Sequence, residues 1–355
     1  MAITKKILLT IGDITIKGGA ERVVVNLANA FIECGHDVEI LSFYKSGERE
    51  AYTLDSKVKL RYLHSTSMDN KRKSLIYRLF YKFYESYLLY RCYKDKDFIL
   101  FNNSPHFPLF KRKNTRYVKV IHTASKGRYL SRYNFFDALV PVSSRELEFW
   151  QRRHKNVVSI PNFLPSFPKE QTDYAQKYVL SIGRMTDNDE KGFKRLIEIW
   201  SLVCKQRKDW KLCVVGEGEG RVEIEAKVKE YQLEDSVTLE NFTDEISKEY
   251  LKASVYCLAS YGEGFGMVLI ESSAYGISSV AFDVLAGPSD IIEDKKSGFL
   301  IPDGNLEEYA KHLAYLMDDK SLRAQMGENA KIRAKERFSK EAIMNRWEEF
   351  FKMFD

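Results

Sequence analysis

At 355 residues, with 44% hydrophobic and 30% charged residues, the chain can bury two separate cores, and its composition excludes a disordered or fibrous protein. Its net charge of +6 divides unevenly: residues 1–165 carry 29 Lys and Arg against 15 Asp and Glu (+14), the remainder 27 against 35 (−8). A basic half can face an anionic membrane, an acidic substrate or nucleic acid, and nucleic acid ranks last because no motif for it accompanies the charge. Five cysteines (34, 92, 204, 213 and 257), odd in number and without a CxxC pair, argue against a disulfide framework or a zinc site and for reduced thiols in a cytoplasmic protein.

The chain opens without the long apolar run of a signal peptide, and no run approaches membrane-spanning length. Residues 5–12 form a short apolar run ending in glycine, the pattern of a buried strand. A loop with Gly18 and Gly19 follows, then apolar residues at helical spacing (Val24, Leu27, Ala28, Phe31), Gly35 as a stop, and a second strand from Val38 to Phe43. Strand, helix, strand in succession predicts a parallel α/β sheet, continued by strands over 98–101, 117–121 and 138–142. A polar, proline-bearing stretch, 165–176, reads as a linker, after which the pattern restarts with a strand over 178–183, again ending in glycine, a helix over 193–206 and strands over 210–215, 254–258 and 278–282. Residues 71–93, crowded with aromatics and carrying Lys71, Arg72, Lys73, Arg78, Lys82 and Arg91, read as one helix. The stretch 338–354 reads as an amphipathic helix whose aromatic face needs a partner, and a cleft between two domains offers one.

The motif richest in chemistry runs from Tyr261 to Ser272, Tyr-Gly-Glu-Gly-Phe-Gly-Met-Val-Leu-Ile-Glu-Ser. Glu263 lies in its glycine turn and Glu271 inside an apolar helical stretch, where a carboxylate is costly unless something hydrogen-bonds to it. Glycines at 262, 264 and 266 let the backbone approach a ligand where the helix begins. This is the pattern of a site for a polyhydroxylated, phosphate-bearing molecule. Gly183-Arg184 and Lys191-Gly192 place two cations beyond a strand's carboxyl end, where they suit a diphosphate, although alone they read better as solvated surface charge. Gly18-Gly19-Ala20-Glu21-Arg22 can hold a phosphate at a helix N-terminus or be a tight turn that merely needs glycine. Gly216-Glu217-Gly218-Glu219-Gly220 fails as a dinucleotide fingerprint, because the third glycine should stand at Arg221. His122 follows a strand at its carboxyl end; the other five histidines are taken as structural or exposed.

Together these residues resemble the retaining nucleotide-sugar glycosyltransferases of the GT-B fold, family four. The likeness continues through Ala286-Gly287-Pro288 and Ser297-Gly298-Phe299-Leu300 and spans nearly the whole chain. It implies an α/β protein of two tandem Rossmann-like domains facing a cleft: an acceptor-side domain over 1–165, a donor-binding domain over 166–337, and a helix over 338–355 returning to the first. Arg184 and Lys191 would pair with the donor diphosphate, so no metal ion is expected. Glu271 would accept from ribose hydroxyls. Glu263, with Phe265 and Gly266, would hold the donor sugar, and Gly183 lies in the same turn as Arg184. His122 would touch the sugar near the reacting carbon, and Gly18 and Gly19 would close over the phosphates. The acidic residues between Arg184 and Lys191 are expected to face solvent.

The resemblance implies transfer of a hexose of galactose, N-acetylgalactosamine or glucose type from a UDP-linked donor to a lipid-linked saccharide. The product would belong to O-antigen, capsule or lipooligosaccharide. The basic aromatic segment (Lys71, Arg72, Lys73, Arg78 and Lys82) would dock the protein on the anionic inner face of the cytoplasmic membrane. Rival readings are a nucleotide-sugar epimerase, a sugar phosphorylase, or a non-catalytic sugar-nucleotide or lipid-binding protein.

Overall fold

The structure is a computed structural model that describes residues 4–103 and 105–355; the side chains of Arg72 and Arg78 lie outside the described residues. It divides into two units, one of residues 1–165 with 340–355, the other of residues 166–339.

The first unit holds six parallel strands: β1 (Lys6–Asp13), β2 (Asp37–Tyr44), β3 (Lys59–Tyr62), β4 (Phe98–Phe101), β5 (Arg116–Ile121) and β6 (Ala138–Pro141). They lie in the order β3-β2-β1-β4-β5-β6. In the central strands Ile7, Leu8, Leu9, Ile99 and Leu100 are wholly buried, as expected of a parallel sheet covered on both faces. Its helices are α1 (Gly19–Glu33), α2 (Met68–Arg72), α3 (Leu75–Cys92) and α4 (Leu147–Gln151). The single helix expected over 71–93 is two. Ser67 caps α2 by accepting from the N–H of Asn70, and Ser74 caps α3 by accepting from that of Tyr77, so the chain breaks at Lys73-Ser74.

The second unit repeats the plan with β7 (Tyr178–Ile182), β8 (Lys211–Val215), β9 (Val237–Glu240), β10 (Val255–Leu258), β11 (Ser278–Asp283) and β12 (Gly298–Pro302). Their order is β12-β11-β10-β7-β8-β9, the same as in the first unit once β7 is matched to β1. The helices are α5 (Phe193–Val203), α6 (Arg221–Glu230), α7 (Ile246–Lys252), α8 (Met267–Ala274), α9 (Pro288–Ile291), α10 (Leu306–Asp318) and α11 (Lys320–Phe338). In each sheet the winding reverses beside the first strand, between β1 and β4 and between β7 and β10. A ligand crevice of an open α/β sheet lies outside the strand carboxyl ends at that reversal.

The last helix, α12 (Lys340–Lys352), belongs to the first unit. Its aromatic face is buried on α1 and β4, and a cleft is not needed to cover it: Trp347 and Phe351 both lie 5.7 Å from the Phe31 ring, and Phe351 lies 4.6 Å from Phe98. Glu348 accepts from His36 Nε2 at 2.7 Å.

Candidate active site

In the second unit the loop after β7 and the loop after β10 meet at the reversal. Lys191 Nζ donates to Glu263 Oε1 at 2.7 Å, and Ser260 Oγ donates to the same oxygen at 2.6 Å. The backbone joins the two loops as well, the N–H of Tyr261 donating to the carbonyl of Glu190 at 3.0 Å. Gly183 makes this possible: a Cβ there would stand 2.8 Å from Lys191 Cγ, so only glycine lets the lysine stem lie across the strand end. Arg184, next in the chain, is exposed. Glu263 is buried and oriented, Lys191 is half-exposed beside it, and Arg184 reaches solvent on the same loop. That set offers cations for an anionic group and a fixed carboxylate for hydroxyl groups.

Two residues without a marked motif hold the loops. Arg195 on α5 is buried and donates to the carbonyls of Ala259 and Ser260, with its guanidinium stacked 3.9 Å from the Tyr261 ring. An arginine within the apolar run of α5 was the only signal of it in the sequence. Asp189 corrects an expectation. Of the carboxylates between Arg184 and Lys191, Asp187 and Glu190 are exposed, but Asp189 is buried and caps α5, accepting from the N–H groups of Phe193 (2.8 Å) and Lys194 (3.1 Å). Burial pushes its carboxyl up, against the pull of those two bonds.

Helix α8 begins at Gly266, whose φ of 93° is a left-handed conformation that glycine adopts without strain. The Phe265 side chain is core, edge-on to Phe338 at 5.5 Å, so only its backbone is free to meet a ligand. Glu271 is half-buried on α8, and the buried Tyr250 on α7 donates to its Oε2 at 2.8 Å. Tyr250 is itself stacked on Tyr275, the rings 5.1 Å apart. This is the partner that a carboxylate in an apolar helix requires.

The remaining motif residues lie in the first unit. Gly18 caps α1 in extended conformation, with Gly19 the first helical residue, and a Cβ on Gly18 would meet Glu21 Oε2 at 2.2 Å. His122 Nε2 lies 2.9 Å from Asn102 Oδ1, at the ends of β5 and β4. With that oxygen as acceptor, Nε2 carries the proton and Nδ1 is left as an acceptor. Burial, then the charge of Lys119, pushes the imidazole down to about 3, so it is neutral at physiological pH.

Two family models match: "Glycosyl transferases group 1" over residues 164–333 and "Glycosyltransferase Family 4" over residues 17–165. An uncharacterized glycosyltransferase of Haemophilus influenzae is 30% identical, over 97% of this chain and 99% of its own. An N-acetylgalactosaminyltransferase of Campylobacter jejuni, named for an acceptor on PP-undecaprenol, is 28% identical over 93% and 94%. In fold, the Staphylococcus aureus protein TarM, solved with UDP, superposes with a TM-score of 0.81 at 18% identity, covering 98% of this chain and 100% of that one. The chain thus belongs to the family-four glycosyltransferases of GT-B fold.

Proposed function

We propose that this glycosyltransferase moves a hexose of galactose, N-acetylgalactosamine or glucose type from a UDP-linked donor to a lipid-linked saccharide, with retention, in building a bacterial surface polysaccharide. The observation that carries the reading is the Lys191–Glu263 pair at the crevice between β7 and β10, with Arg184 on the same loop. In this reading Arg184 and Lys191 take the diphosphate and stabilise the charge that develops on the departing nucleotide without a metal ion. Glu263, with the backbone of Phe265 and Gly266, holds sugar hydroxyls, and Glu271 accepts from the ribose. Gly18 and Gly19 close over the phosphates. Neutral His122 accepts from a sugar hydroxyl near the reacting carbon, and in this reading the leaving phosphate takes the acceptor proton. The Campylobacter relative's acceptor supports a lipid-linked one here.

A thermal-shift panel of UDP-galactose, UDP-N-acetylgalactosamine, UDP-glucose, a GDP-sugar and free phosphate tests the donor. A true donor at about a hundred times its Kd should stabilise the fold by about 2.7 kcal/mol. Stabilisation by the GDP-sugar alone overturns the UDP assignment. Stabilisation by phosphate without any nucleotide favours a phosphorylase.

Docking on an anionic bilayer is part of the proposal. On α3 the side chains of Ile76 (74% exposed), Leu79, Phe80, Phe83 and Tyr87 form one stripe open to solvent, and an apolar patch of that extent marks an interaction surface. Lys73 and Lys82 are exposed beside it, and Lys71 lies over the Tyr77 ring. No helix among the described residues is long and apolar enough to cross a membrane. At roughly 1 kcal/mol per cation, replacing Lys71, Arg72 and Lys73 by glutamine should weaken binding to phosphatidylglycerol vesicles on the order of a hundredfold. Unchanged sedimentation with those vesicles would rule docking out.

A further inference from the structure

The first unit holds a cavity of about 240 Å³ at the carboxyl end of β5, lined by Lys119, His122, Thr123, Arg132 and Tyr133 among others. No carboxylate lines it among the described residues. Lys119 Nζ donates to the carbonyl of Asn102 at 3.3 Å. Burial, followed by the charge of Arg132, pulls the Lys119 ammonium down to about 7. Two cations held together in a partly desolvated cavity repel each other, and an anion placed between them relieves that repulsion. Arg132 adds the planar fork that matches a carboxylate or phosphate, and the volume, below that of a typical drug-sized pocket, suits one substituted sugar ring.

We propose that this cavity takes an anionic substituent, a phosphate or a carboxylate, on the saccharide that receives the transferred sugar. The assignment rests on the transferase reading, and it makes the acceptor acidic at the ring next to His122. It also couples binding to protons. Lining the cavity with Lys119 are Arg132 from the turn Ser131–Phe135, His122 at the end of its own strand and Tyr133, while His106, which feels the Lys119 charge, is paired with the Glu85 carboxylate outside the lining. None of the described lining residues supplies a negative charge at neutral pH, so a bound anion draws Lys119 back toward its protonated form. Anion affinity therefore falls as pH rises through about 7.

Calorimetry on the full chain with methyl glucoside, methyl glucuronide and a glucose phosphate tests the idea. Both anionic probes should bind and the neutral one should not. Arg132→Gln should weaken the anionic probes about tenfold or more. Lys119→Met should remove the pH dependence; Arg132 lies on a surface turn, so its variant keeps the test open if the strand variant does not fold. The tighter of the two anionic probes tells phosphate from carboxylate. The cavity assignment falls if the neutral sugar binds as well as the charged ones, if neither charged probe binds, or if Arg132→Gln leaves their affinity unchanged. UDP titrated in parallel separates the two proposals: anion binding that depends on Arg132 in a chain that ignores UDP would sink the donor reading and leave the cavity standing.

Discussion

Glu271→Ala should lose UDP affinity and turnover together, by about a hundredfold to ten-thousandfold, while the fold stays intact. The range follows from two hydroxyl groups on one carboxylate, at about 1.5–3 kcal/mol for each charged hydrogen bond. The side chain is half-buried on α8, so its removal deletes an acceptor without opening the core. Tyr250 sharpens the test. Its hydroxyl fixes Oε2 of Glu271, so Tyr250→Phe should weaken UDP partway, by about tenfold, through orientation alone. Calorimetric titration of UDP with single-turnover transfer reads both. UDP affinity within threefold of wild type in Glu271→Ala removes the ribose role.

The second large effect is on stability. Glu85 on α3 is 0% exposed; its Oε1 accepts from His64 Nε2 at 2.9 Å and from the Tyr77 hydroxyl, and its Oε2 pairs with His106. His106 in turn is stacked on Phe43, the rings 3.6 Å apart. Burial pushes the Glu85 carboxyl up, but bonds from His106, His64 and Tyr77 outweigh it and hold the group at about 2. Glu85→Ala deprives the buried His64 and His106 and the half-buried Tyr77 of their shared acceptor and should cost the first unit about 3–5 kcal/mol. Glu85→Gln keeps an acceptor and should cost less. The sign with pH is fixed by the depressed acid: its contribution is full above an unfolded value of about 4.5 and is lost as pH falls toward 2. Burial also pulls His106 down, so acid works against the unit from that side as well, beginning below 6.5. Urea melts of the wild type at pH 7 and pH 4 check this; a midpoint that does not fall with pH contradicts it.

The central strands were legible in sequence because a strand covered on both faces is a bare apolar run. Phe98–Phe101 was located to the residue, and Tyr178–Ile182 to within the glycine that follows it. The edge strands β3, β9 and β12 were missed, since Lys59–Tyr62 and Val237–Glu240 alternate with exposed polar residues and Gly298–Pro302 begins and ends on punctuating residues. Within the candidate site, Glu263 and Lys191 could be named from their motifs, and the structure joins them directly. Tyr250 and Arg195 could not be named, because each acts through a contact set by the fold: Tyr250 reaches Glu271 from another helix, and Arg195 reaches carbonyls 64 and 65 residues away. The solvent-facing reading of Asp189 failed for a local reason: its carboxylate, four residues before the first residue of α5, takes the helix's first two N–H groups.

The placement of α12 has a consequence for how the protein is made. The second unit is one continuous stretch, 166–339, whereas the first is completed only by residues 340–355. On the ribosome, Phe31 and Phe98 emerge early and wait, without Trp347 and Phe351 to cover them, until the whole of the second unit has been synthesised. Domains usually finish folding in the order they emerge. Here the later unit closes its core first, and the earlier one carries an open aromatic seam through most of translation, the interval in which a holding chaperone has something to grip.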